Sequence, residues 1–118
     1  MKLKTLIELL KLDTLYIDDK ALNKEYEFFF ASNMMSNVLL MINDNYQSTI
    51  LLTGLTNAQS LITAEMLDVN AIIYLTEKIF SNEVIELAKS KNINIFRSSI
   101  DIEDMIQCLT RNGVKEIK

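Results

Sequence analysis

The chain has 118 residues, of which 49% are apolar and 24% charged, with a net charge of −4. That length and composition predict one globular domain with a real core and exclude a disordered chain. The acidic balance, with no stripe of Lys or Arg, excludes a counterion-driven nucleic-acid binder.

The residue types that are missing exclude more. There is no histidine, hence no Ser-His-Asp or Cys-His catalysis and no imidazole metal site. A single cysteine, Cys108, rules out an internal disulfide and every multi-cysteine zinc or iron–sulfur pattern. The two glycines, Gly54 and Gly113, form neither GxxxxGK[ST] nor GxGxxG. No cofactor, metal or catalytic residue is expected. No apolar run approaches a membrane span; "FFFA" and "VLLMI" are among the longest. At the N-terminus, "MKLKTLIELLKL" places Lys2 and Lys4 before apolar residues. Glu8 and Lys11 interrupt that run, and no small-residue cleavage site follows, so the expected location is cytoplasmic.

The elements follow in chain order. Leu3, Leu6, Ile7 and Leu10 share one face of a helix over residues 2–11. "DTLYI" reads as a short strand and "DDKALNK" as a polar connection. In "EYEFFFAS", Phe28, Phe29 and Phe30 form the continuous apolar run of a strand covered on both faces. Ser32 or Asn33 then caps a helix "NMMSNVLLMIND" with a stripe of Met34, Met35, Val38, Leu39 and Ile42. "STILLT" (48–53) is a buried strand. Thr56 with Gln59 three residues later forms a capping box for the next helix. "NAIIYLT" (70–76) is another buried strand, and Ser81 caps the helix "NEVIELAKSK". "INIF" (93–96) is a third. Ser98 or Ser99 opens the last helix, which points Ile102, Met105, Ile106 and Leu109 inward and ends at Gly113 in a left-handed cap.

From residue 48 the order is β-α-β-α-β-α with short connections, which requires crossover helices and parallel strands. The first half adds one or two strands, at least one antiparallel. The expected fold is α/β, a single domain over 1–118, with three layers (α/β/α) and a mixed, mainly parallel sheet.

In such sheets ligands sit beyond the carboxyl ends of the strands. Here those ends carry Thr53, Gly54, Thr56 and Asn57, then Thr76-Glu77-Lys78, then Arg97-Ser98-Ser99. Each leads into a helix whose free N–H groups and positive dipole end favour an anion. Thr53, Gly54, Thr56, Asn57, Thr76 and Ser98 are thus the candidate ligand-binding residues. The competing reading is structural: Thr, Asn and Ser precede helices because they cap them, and Gly54 is there because the turn needs it. Capping residues are expected before nearly every helix, so the structural reading takes precedence.

The remaining polar groups have plain explanations. Asp101, Glu103 and Asp104 suit a helix start, Asp18-Asp19 a solvated turn, and Cys108 a partly buried helical position. Met34 and Met35 are either core filler or, with the nearby phenylalanines, an adaptable contact surface. The high apolar fraction with Phe28-Phe29-Phe30 points to a homodimer.

The succession "TLIELLKLDTLYI", "EYEFFFASNMMSNVLLMI", "ILLTGLTNAQSLITAEMLDVNAIIYLTEK" and "EVIELAKSKNINIFRSSIDIEDMI" resembles the DRTGG domain. That domain is in turn similar to the N-terminal domain of bacterial HPr kinase/phosphorylase. The likeness runs from Leu3 to about Gly113 and rests on element order and spacing. Ser32 to Leu39, Thr56-Asn57 and Glu83 to Ile93 are its most similar stretches. The acronym segment is absent: Leu55-Thr56-Asn57 follows Gly54, and Thr76-Glu77-Lys78 follows the next strand. The resemblance implies a mixed α/β sheet, a non-catalytic regulatory role and self-association. It also implies the company of CBS or phosphotransacetylase domains in larger proteins. The leading functional expectation is a stand-alone regulatory domain that binds a small anionic ligand (nucleotide or phosphate-like) or a regulatory protein partner. The alternative is a protein–protein interaction module that acts through a Met/Phe surface.

Overall fold

A computed structural model describes residues 1–31 and 48–117. Helix α1 (Leu3–Leu10) buries Leu3, Leu6 and Leu10 and turns out of the helix at Lys11, whose φ is 51°. Strand β1 (Asp13–Tyr16) follows, then a 3-10 turn (Asp19–Ala21) and β2 (Phe28–Ala31). The second half is β3 (Thr49–Thr53), α2 (Ala58–Met66), β4 (Ala71–Leu75), α3 (Asn82–Lys91), β5 (Asn94–Ser98), α4 (Ile102–Arg111) and β6 (Lys115–Glu116). The expected helix after Ser32, with Met34 and Met35, lies outside the described residues.

The six described strands form one sheet in the order β1-β5-β4-β3-β2-β6. Strands β2, β3, β4 and β5 are mutually parallel, and β6 runs parallel to β2. Among the described strands only β1 is antiparallel, with Asp13 opposite Arg97 and a register break between Thr14 and Tyr16. The expected mixed, mainly parallel α/β/α domain is therefore what the chain forms.

The core divides by strand alternation, because successive side chains leave a strand on opposite faces. On one face Phe29, Ile50, Leu52, Ala71, Ile73 and Phe96 meet α1 and the Met105 and Leu109 side of α4. On the other, Phe30, Leu51, Ile72, Tyr74 and Ile95 meet Leu61 and Ala64 of α2 and Ala88 of α3. Phe29 and Phe30 are thus absorbed by the two cores, and Phe28 is half-buried. Core packing thus accounts for Phe29 and Phe30, and Phe28 alone of the run keeps exposed surface.

Caps follow the sequence in part. The Ser81 hydroxyl accepts the Val84 N–H at 3.3 Å and starts α3 as expected. Gly113, at φ +86°, ends α4 in a Schellman turn: its N–H reaches the Thr110 carbonyl, and that of Val114 reaches Leu109. The last helix, however, opens at Asp101 rather than Ser98 or Ser99; its carboxylate accepts from Glu103 N–H at 3.3 Å.

Candidate functional site

The capping box expected at Thr56 and Gln59 does not form. Helix α2 has Asn57 at its N-cap, and the Asn57 side chain makes no capping hydrogen bond. Gln59 instead reaches along the helix to the Thr63 hydroxyl, 3.5 Å away. A buried hydroxyl chain holds this helix start. Ser60 Oγ donates to the Asn57 carbonyl at 2.7 Å and lies 2.6 Å from the Tyr74 hydroxyl, which is left to donate to Ser60. Both Ser60 and Tyr74 are fully buried. Burial pushes the Tyr74 phenol up to about 12, with the Ser60 hydrogen bond pulling the other way.

Three of the candidate ligand residues share a different role. The Thr53 hydroxyl accepts the Leu55 N–H, that of Thr76 the Lys78 N–H, and that of Ser98 the Ile100 N–H, each at 3.1 Å. Each bond spans two residues and folds the chain away from the sheet at a strand end, as Ser and Thr do in short turns. Thr53 and Ser98 are buried in this role.

A cleft of about 380 Å³ opens at the same edge, lined by Gly54, Leu75, Thr76, Glu77, Ser99, Ile100, Asp101 and Ile102. Of the candidate residues, Gly54 and Thr76 stand on its wall, whereas Thr53, Thr56, Asn57 and Ser98 do not. Its position has a topological cause. After β4 the chain turns to α3 on one face, and after β5 it turns to α4 on the other. The two loops therefore part, and a crevice is left between neighbouring strands still joined by the Thr76 N–H to Ser98 carbonyl bond at 3.0 Å. Parallel α/β sheets bind ligands where successive connections diverge in this way. Glu77, Ser99 and Asp101 are recognisable in the sequence as loop residues after strands. Ile100 and Ile102 carry no signal there, because only the divergence of the loops places them on a wall.

The charge on this wall is acidic. Glu77 and Asp101 contribute carboxylates, and among the described residues no Lys or Arg lines the cleft. Arg97 is engaged elsewhere: its Nη1 donates to the Lys78 carbonyl at 2.9 Å, and its Nη2 pairs with Asp13 at 3.3 Å. Among the described residues no group of three or more His, Cys, Asp or Glu is placed to hold a metal ion. No helix among them is long and apolar enough to cross a membrane.

No family model and no curated protein matches the chain. Among solved structures its fold is similar to a crystal structure of the CBS and DRTGG domains of the regulatory region of Clostridium perfringens pyrophosphatase, complexed with the activator diadenosine tetraphosphate. The TM-score is 0.67 at 19% identity, over 90% of this chain. The present chain spans 44% of that one's length, and at this identity the likeness is one of fold.

Proposed function

We propose that the chain is a DRTGG-like regulatory domain, spanning 1–118, that senses a small nucleotide-like ligand in the cleft between β4 and β5 and catalyses no reaction. The observation that carries this reading is the crevice itself, open where the connections after β4 and β5 diverge. The likeness to a regulatory region complexed with a nucleotide activator supports it. A ligand seated there touches the loop into α3 and the loop into α4 at once, so it ties the two helical layers together. Such a device transmits occupancy without chemistry.

Self-association is a second part of the proposal, with the domain acting as a cytoplasmic homodimer or docking a regulatory protein. Ile62 and Met66 lie one turn apart on α2 and are 40% and 66% exposed, and Ile79 is 92% exposed. These residues take the place of the phenylalanine run in that reading.

A thermal-shift screen tests the ligand. ATP, ADP, diadenosine tetraphosphate and inorganic phosphate are added to the wild type and to Ser99→Trp, which fills the cleft from an exposed position. A ligand at about 100 times its Kd contributes about 2.7 kcal/mol, which for a chain of this size raises Tm by roughly 10 °C. The expected result is such a rise in the wild type and none in Ser99→Trp. No rise with any probe, or an equal rise in both proteins, removes the cleft as the sensing site.

A further inference from the structure

We infer that the cleft grips the nucleoside portion of its ligand, through ribose hydroxyls and base amines, and rejects the phosphate. The inference rests on the nucleotide reading above and reverses the part of it that expects an anion at the strand ends. Its basis is the polarity of the wall. Among the described residues, the charged groups that line the cleft are the carboxylates of Glu77 and Asp101, which accept hydrogen bonds and donate none. Acceptors of this kind match a vicinal diol, as acidic side chains do with ribose in other α/β sheets.

The helix starts that follow β4 and β5 are already answered, whereas that of α2, which has no side-chain cap, begins past Gly54 at residues that do not line the cleft. The start of α4 is capped by Asp101 and followed by Glu103 and Asp104 in the first turn. The start of α3 is capped by Ser81 and followed by Glu83. The Arg97 guanidinium is held by Asp13 and the Lys78 carbonyl. A phosphate entering this cleft would meet two carboxylates and no cation among the described residues that line it.

Size and apolar surface agree with the same class. Leu75, Ile100 and Ile102 on the wall present hydrocarbon suited to the face of a base. At about 380 Å³ the cleft is at the small end of ligand pockets, which span roughly 300–1,000 Å³. It accommodates one nucleoside and leaves any phosphates outside the wall.

The test is isothermal titration of adenosine, ATP, 2′,3′-dideoxyadenosine and inorganic pyrophosphate into the wild type, Glu77→Gln and Asp101→Asn. Both substitutions preserve shape, and Asn is as good a helix N-cap as Asp, so the fold survives; melting curves verify this. The expected result is that adenosine and ATP bind within about threefold of each other and pyrophosphate does not bind. Loss of the diol, or of either charge, then weakens adenosine about tenfold, as hydrogen bonds to a charged acceptor require. Binding of pyrophosphate, or tighter ATP binding in Glu77→Gln, overturns this inference while leaving a ligand-sensing cleft in place. No binding by any probe overturns both.

Discussion

Replacing Ser60 by alanine removes the middle of the hydroxyl chain that runs from Tyr74 to the Asn57 carbonyl. The Tyr74 hydroxyl is then a buried donor without an acceptor, and an orphan of that kind costs about 1–3 kcal/mol. The Asn57 carbonyl is not orphaned, because the Ser60 N–H still reaches it at 3.2 Å. Tyr74→Phe is the milder change. It deletes the phenol but keeps the ring against Phe80, whose centroid lies 4.7 Å away, and leaves the Ser60 hydroxyl donating to Asn57. Its cost is one net hydrogen bond, about 0.5–1.5 kcal/mol. The double variant has no orphan, so its cost falls below the sum by about 1 kcal/mol. Unfolding entropy scales with chain length, so 2 kcal/mol corresponds to a Tm lower by roughly 8 °C. Urea unfolding followed by far-UV circular dichroism measures all three variants against the wild type. Strict additivity, or a Ser60→Ala cost within about 0.3 kcal/mol of zero, refutes the chain as the device that seats α2.

Burial pushes both Tyr26 and Tyr74 up to about 12, above the unfolded value of 10, so their stabilisation is complete below pH 10 and is lost as pH rises through 12. Stability should fall by up to about 2.7 kcal/mol per pH unit in that window, and by half as much in Tyr74→Phe; tyrosinate absorbance and circular dichroism should change together. Ser81→Ala should cost about 1 kcal/mol, whereas Thr56→Ala, which removes no cap, should stay within about 0.5 kcal/mol of the wild type. Gly113→Ala should cost about 1 kcal/mol from the backbone alone, because an added Cβ meets nothing within 4 Å while φ stays at +86°. Sedimentation equilibrium at roughly 50 μM should give a dimer that Ile62→Lys with Met66→Lys dissociates; a wild-type monomer refutes the self-association.

Local pattern determined most of the elements. The spacing of Leu3, Leu6 and Leu10 specified α1 and its buried face, and the apolar stretches EYEFFFAS, 48–53, 70–76 and 93–96 specified the four strands that form over Phe28–Ala31, Thr49–Thr53, Ala71–Leu75 and Asn94–Ser98. From residue 48 onward, alternation of strands with helices was enough to make three of them parallel, because a short crossover allows little else. Ser81 and Gly113 were legible because a cap is a local bond between residues a few positions apart. What depended on distant partners was not. Asn57 displaces Thr56 at the start of α2 because β4 delivers Tyr74 to Ser60 across 14 positions of sequence. Strand β6 exists only because α4 recrosses the sheet and lays Lys115 and Glu116 beside β2, where their own short stretch has no strand signal. The phenylalanine run reads as a strand covered on both faces, but which side chain enters which core is set only by the helices packed on each face. The cleft, finally, belongs to no segment: it opens because α3 and α4 leave adjacent strands toward opposite faces, and facing is a property of the folded sheet.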